Sequence, residues 1–267
     1  MDTSRFKKII WANYRVHKRD MPWRKTKDSY RILVSEIMLQ QTQVSRVRKF
    51  YSIFIKQFPS FGALAHAKTS SVLRAWQGLG YNRRALALQR LSRIVLKEFN
   101  GRLPQDREAL ESLPGIGKGT SGAISAFAWD KPTIFIETNI RRVFIHFFFG
   151  RRKNVTDKEL ERYIERTLPK NNFREWYWAL MDYGAMLTTA VNPNRQSAGY
   201  KKQTTFKGSE RELRGKILSL ILKNRRISFE NISLQTGGIP GKVRKISSVL
   251  EREGFITVNK KYISILN

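Results

Sequence analysis

The sequence predicts an all-α protein that carries a small β-bearing module at its C-terminus. Three observations predict it. Apolar residues recur three or four positions apart through roughly the first two hundred residues, the period of a helix with one buried face. Pro59, Gly80, Pro104 and Pro114 punctuate these runs as short loops would. Two short β-rich runs, 255–258 and 261–265, flank an Asn259-Lys260 turn at the end of the chain.

Taken in order, the helical pattern starts at Tyr30 and runs to Gln41, and it returns over 47–54, 70–76 and 85–99. Two shorter helices, 107–113 and 121–127, bracket the run Leu113-Pro114-Gly115-Ile116-Gly117-Lys118-Gly119-Thr120. Thr138-Asn139 is expected to cap a helix over 140–149, and 157–168 and 173–188 supply two more. His146, set between Ile145 and three phenylalanines, is expected in the core. From Val191 to Lys207 the chain is polar and contains Pro and Gly, and it reads as loop and linker. Helices over 210–222, 229–235 and 240–253 then precede the terminal hairpin, the outline of a winged helix.

Charge narrows the partners. The chain has 51 Lys and Arg against 21 Asp and Glu, a net charge of +30, which favours polyanions and salt-sensitive association. Residues 208–267 contribute 12 basic and 5 acidic residues, so both parts of the chain are basic. With 41% hydrophobic residues, the chain can bury a core and is no basic disordered tail. There is no cysteine, which excludes disulfides, zinc–thiolate sites and iron–sulfur clusters held by the chain's own thiolates. The three histidines, His17, His66 and His146, lack ligand spacing, so no metal and no cofactor are expected. No stretch approaches a membrane span and Met1–Phe6 has no apolar signal region, so a cytoplasmic, nucleoid-associated protein with no membrane partner is expected.

The Pro-Gly-Ile-Gly turn is the most informative stretch. Its glycines allow close backbone approach and exposed N–H groups, and a helix beginning near Thr120 adds a positive end. In so basic a chain the natural anion is a DNA phosphate, and the pattern is a helix-hairpin-helix signature.

Other segments then fall into order. Trp23-Arg24 precedes Glu36-Ile37-Met38-Leu39-Gln40-Gln41-Thr42, followed by Gly78-Leu79-Gly80-Tyr81 with Arg84-Ala85, the hairpin, and Ala179-Leu180-Met181-Asp182-Tyr183-Gly184-Ala185-Met186. Over roughly residues 6–206 this resembles the MutY-type adenine DNA glycosylases of the endonuclease III superfamily. The resemblance implies a two-lobed helix-hairpin-helix DNA glycosylase fold over 1–190, a cluster-loop remnant and linker over 191–207, and the winged-helix-like domain over 208–267. A monomer acting on double-stranded DNA with a mismatched or damaged base is expected.

The resemblance also implies roles. Glu36 becomes the general acid and Glu137, at the position of the family's catalytic aspartate, stabilises the developing sugar cation. A glutamate there carries its oxygens about 1.5 Å further out than an aspartate. Gln40, Gln41, Thr42 and Tyr81 would fill the stack emptied by base extraction. Gly115, Gly117 and Lys118 would hold phosphate, while Trp23 and Arg24 would be either an adenine-pocket pair or a packing anchor. In the winged-helix-like domain Lys242, Arg244 and Lys245, with Lys260-Lys261 in the wing, would face DNA. Asp182 reads as a structural hydrogen-bonder.

Several departures matter. The family's four cluster cysteines fall at Thr188, Arg195, Ala198 and Thr204, and the usual second tyrosine is Asn82. The place of a lyase lysine is Gly119, so no Schiff base is expected. About sixty C-terminal residues patterned as a winged helix cannot be the Nudix-like domain that reads 8-oxoguanine. The expected activity is monofunctional excision of adenine opposite 8-oxoguanine or guanine. Excision of uracil, thymine or another base, and DNA binding without catalysis, remain open.

Overall fold

The computed structural model describes residues 1–187, 192–202, 204–259 and 261–266. Its helices gather into two compact units, 1–37 with 103–202 and 38–102 with 203–267. Among the described residues no helix is long and apolar enough to cross a membrane.

The first unit is helical. It contains α1 (Thr3–His17), most of α2 (Ser29–Leu39), α7 (Arg107–Ser112), α8 (Lys118–Trp129), α9 (Thr138–Phe148), α10 (Asp157–Thr167) and α11 (Phe173–Met186). Helix α1 is absent from the sequence reading, because its buried stripe is only Phe6, Ile10 and Tyr14 among basic residues. That stripe is nevertheless central. Phe6 is fully buried and its ring lies 5.3 Å from Phe144, 5.0 Å from Phe148 and 6.0 Å from Trp176. The apolar run of α9 thus becomes core through Phe144 and Ile145, whereas His146 is exposed, contrary to expectation. At about 100° per residue, His146 falls opposite the face that buries Ile140, Val143, Phe144 and Ile145.

Helix starts follow local chemistry. Asp2 and Asp106 cap α1 and α7, and Thr156 and Glu159 form a capping box on α10. The expected Thr138-Asn139 cap lies one residue too late, since Glu137 is the capping residue of α9. Likewise α8 begins at Lys118 rather than near Thr120, with Gly117 as its cap.

The second unit holds α3 (Val44–Gln57), α4 (Phe61–His66), α5 (Thr69–Trp76) and α6 (Arg83–Glu98). Its C-terminal part runs α12 (Glu210–Asn224), β1 (Arg226–Ser228), α13 (Phe229–Thr236), α14 (Pro240–Arg252), β2 (Ile256–Val258) and β3 (Tyr262–Ile265). The three helices and terminal hairpin are those expected, and β1 is an addition too short to show a period. The antiparallel sheet has the order β1-β3-β2, with Ile263 opposite both Ile227 and Val258. Ile227, Ile256, Ile263 and Ile265 turn inward, while Thr257 and Ser264 pair at 2.8 Å on the other face.

One close approach controls the first unit's geometry. A Cβ on Gly184 of α11 would lie 2.2 Å from the Asn139 carbonyl oxygen at the start of α9. Backbone cannot yield as a flexible side chain would, so Gly184→Ala must push α9 away. We expect a loss of about 3 kcal/mol in stability, the upper end for overpacking. Chemical denaturation of the two proteins would measure it, and an unchanged midpoint would contradict the contact.

Candidate active site

Glu36 lies on α2 among Leu33, Val34, Ile37 and Met38, each at most 1% exposed. Glu36 itself is partly buried. Burial is the largest influence and the neighbouring Glu137 adds to it, against the Arg24 charge. Together they push Glu36 up to about 8. A carboxyl in that condition is protonated at neutral pH.

Glu137 is partly buried too, and burial drives its carboxyl above the ordinary range. Here, though, donors converge on the charged form. Its Oε1 accepts from the main-chain N–H of Asn139 at 2.7 Å and of Ile140 at 2.8 Å, and its Oε2 accepts from Asn139 Nδ2 at 3.1 Å. Arg142 and Arg141 add positive charge. Both oxygens act as acceptors, which suits a carboxylate. The two carboxyls thus differ in surroundings: burial and a like charge act on Glu36, while Glu137 is met by donors that favour its charged form against its own burial.

Arg24 is buried beside them, with 8% of its side chain exposed. Its guanidinium makes a bidentate pair with Asp182, both contacts at 2.8 Å, and lies 5.3 Å from the centre of the Trp178 ring. Asp182 also accepts from the Arg19 N–H at 3.0 Å and its Nε at 2.6 Å. Burial alone would raise Asp182, but the two arginines outweigh it and hold it below the usual range. Asp182 is thus the structural hydrogen-bonder expected, and Arg24 is its main client. Trp23 is a core residue, 5% exposed. A cleft of about 400 Å³ opens onto Arg24 and Trp178, and neither Glu36 nor Glu137 lines it.

The hairpin joins α7 to α8. Gly115 adopts φ +86°, a conformation that suits glycine. Gly117 and Lys118 are exposed, and no side chain caps the start of α8. Arg107, passed over in the sequence, braces the turn. It contacts Glu111 at 3.0 Å and the Lys118 carbonyl at 3.1 Å, while Ser121 donates to Glu111 at 2.7 Å.

In the second unit, the segments holding Gln40, Gln41, Thr42 and Tyr81 are drawn together by Arg84. Its guanidinium donates to the carbonyls of Met38 at 2.9 Å, Gly80 at 3.0 Å and Gln40, and to Thr42 Oγ1 at 2.9 Å. It also lies 5.3 Å from the Tyr81 ring centre. Burial among these groups brings Arg84 down to about 10. Gln41 and Tyr81 have φ of +53° and +48°, rare for residues with side chains, and Tyr81 is 40% exposed. Arg84 is quoted in the resemblance but given no role there; only the fold reveals it as the organiser. Lys242, Arg244 and Lys245 are exposed on α14, with Arg244 4.5 Å from the Phe229 ring centre. Lys260 and Thr188 lie outside the described residues.

The residues at the cluster positions do not fit an iron–sulfur cluster. Arg195, Ala198 and Thr204 offer no thiolate, and the chain has no cysteine elsewhere. Chain atoms close this segment instead. Val155 N–H donates to the Gln196 carbonyl and Ala198 N–H to the Val155 carbonyl, both at 2.9 Å, and Asn194 Nδ2 donates to the Thr138 carbonyl at 3.0 Å.

Residues 34–170 match the HhH-GPD superfamily base excision DNA repair protein family, and the chain belongs to that family. Its relatives are named as DNA glycosylases. The chain is 34% identical over 239 residues to the adenine DNA glycosylase of Mycolicibacterium smegmatis, covering 83% of this chain and 81% of that protein. It is 36% identical over 180 residues to the adenine DNA glycosylase of Buchnera aphidicola subsp. Baizongia pistaciae, covering 66% of this chain but only half of that protein. A solved thermostable thymine-DNA glycosylase is 30% identical with a TM-score of 0.65, over 74% of this chain and 94% of that one.

The acid's raised pKa has a consequence for stability. The native protein holds the Glu36 proton up to about 8, whereas the unfolded chain releases it near its ordinary value of 4.5. Stability contributed by this site is therefore full below 4.5 and is lost as pH climbs to 8. Glu36→Gln stays neutral throughout. The variant should match wild type in melting temperature at acidic pH and exceed it increasingly toward pH 8, with a ceiling of about 1.4 kcal/mol per unit of raised pKa. A constant offset across this range in thermal melts would contradict the assignment.

Proposed function

We propose that the protein is a monofunctional DNA glycosylase that hydrolyses the N-glycosidic bond of adenine mispaired with 8-oxoguanine or guanine. The feature that carries this reading is the pair of differently surrounded carboxyls, Glu36 raised to about 8 and Glu137 accepting from three donors at the start of α9. Glu36 gives its proton to a purine ring nitrogen as the C1′–N9 bond breaks, and the bonding electrons leave with the base. Glu137 faces the positive charge that develops on the sugar. Water then adds to C1′ and returns a proton to a carboxylate. Arg24, fixed by Asp182, serves the base pocket, and the buried Trp23 anchors its turn by packing.

Gly119 occupies the place where a lyase lysine would stand, and Lys118, one residue earlier, is assigned to phosphate. Gly115, Gly117 and Lys118 bind backbone phosphate without reading sequence. Gln40, Gln41, Thr42 and Tyr81, held by Arg84, fill the space of the extruded base. The module over 208–267 is read as a winged helix that presents Lys242, Arg244, Lys245 and the Lys260-Lys261 wing to DNA. A second reading, excision of a mispaired pyrimidine, draws on the likeness to a thymine-DNA glycosylase that the chain covers almost completely.

Labelled duplexes carrying adenine opposite 8-oxoguanine, guanine or cytosine, or thymine or uracil opposite guanine, separate the readings under single turnover. Adenine opposite 8-oxoguanine and guanine should be released, with strand breaks only after alkali and no adduct trapped by borohydride. The rate should fall as pH rises through about 8, where Glu36 gives up its proton. Glu36→Gln should abolish excision while binding persists, and Glu137→Gln should cost about 100-fold. Glu137→Asp should retain more activity than Glu137→Gln. Preferential release of thymine or uracil would establish the second reading. A protein that binds every duplex and releases no base would be a binding protein, and a trapped adduct would make it a lyase.

The hairpin can be tested separately. Nothing lies within 4 Å of a Cβ on Gly117, so alanine fits there and only crowds an incoming phosphate. Gly117→Ala and Lys118→Glu should weaken binding to matched and mismatched duplexes alike. Altered lesion preference at unchanged overall affinity would refute a phosphate role.

A further inference from the structure

Within the second unit the C-terminal part docks on α5 and α6. Glu253, just after α14, pairs with both Arg83 of α6 and Arg214 of α12. Arg74 of α5 donates to the Leu222 carbonyl in the last turn of α12 at 3.3 Å. The seam between α5 and α12 leaves a cleft of about 520 Å³ lined by Arg74, Gln77, Ser219, Leu222, Lys223 and Arg225. Three cations, an amide and a hydroxyl face it, and no carboxylate lines it. Like charges gathered in a concavity repel one another more than on an open surface, and an anion relieves that repulsion.

Arg225 supplies an independent sign. It sits at φ +60° and ψ −40°, with its N–H bonded to the Ile221 carbonyl at 2.9 Å. A side chain is costly in that conformation, and glycine would adopt it more cheaply. What the arginine adds at this position is a third cation in the cleft.

We propose that this cleft binds a backbone phosphate of the duplex, so that the C-terminal module and α5 share one DNA contact outside the active site. Gln77, which lines the cleft, is followed after four residues by Tyr81. Four residues span at most about 14 Å of backbone, so the phosphate would lie on the stretch of duplex flanking the base that Tyr81 displaces. The inference rests on duplex DNA as the partner and on Tyr81 as the wedge.

The test uses the full chain and a fluorescent duplex of about 30 base pairs with a stable abasic analogue opposite 8-oxoguanine, titrated over a range of salt. The triple variant Arg74→Gln, Lys223→Gln, Arg225→Gln should bind about tenfold more weakly near 0.15 M salt, with a salt slope reduced by about one to two. Its single-turnover excision rate at saturating protein should equal that of wild type. Arg225→Gly separates binding from folding: its melting temperature should be equal or higher while its affinity and salt slope fall. A triple variant that melts lower yet binds with unchanged affinity and slope would overturn the proposal, because the cations would then serve only the carbonyls of α12. A wild-type protein that binds no duplex would instead remove the DNA reading, and the cleft with it.

Discussion

Glu137 sits where burial opposes charge, and the first turn of α9 supplies the donors that favour its charged form. The two main-chain N–H groups it accepts from are donors that every helix leaves open at its start. One side chain therefore both closes the helix and places a carboxyl at its positive end, where charge is favoured. The protonated state of Glu36 follows in part from that charge. The position of the turn follows from Gly184, whose missing side chain lets α11 lie against Asn139. Acid, charge and helix contact form one dependent set.

Arginine does much of the remaining work, and not as a surface coating. Arg24 is spent on Asp182, Arg107 on the hairpin, Arg84 on the carbonyls behind Tyr81, and Arg83 and Arg214 on Glu253. Each ties together segments distant in sequence, which the flat guanidinium with its five donors does better than lysine. The net charge of +30 therefore overstates the surface available to a polyanion. Arg74 likewise spends a donor on the Leu222 carbonyl, while Lys242 and Lys245 on α14 and Lys223 and Arg225 at the cleft form a smaller and more localised set.

Much of the helical order was legible in the sequence, because α6, α9 and α10 bury residues at a regular period and short loops punctuate them. Helix α1 was not, since three apolar residues among lysines and arginines look like a solvated stretch until the α9 aromatics are brought against Phe6. Strand β1, three residues long, is stabilised by pairing with β3 and has no local signature. At the site, Glu36 and Glu137 were legible from motif and spacing. The resemblance also implied their division of labour, but the donors around Glu137 that would support it are assembled only by the fold. Arg84 and Arg107 were unreadable as organisers, because most of their partners are carbonyls and side chains that are not their sequence neighbours. His146 misled because three phenylalanines follow it, while the helix turns it outward.

The segment between Asn192 and Ala198 is held by main-chain and amide hydrogen bonds to Val155 and Thr138. Such a closure forms as the chain folds and needs nothing delivered to it. Where thiolates and iron would tie a loop's integrity to metal supply and to the redox state of its surroundings, this one is indifferent to both. Chelators, oxidants and iron starvation find no purchase on it. The integrity of this segment is thus written wholly into the chain that contains it.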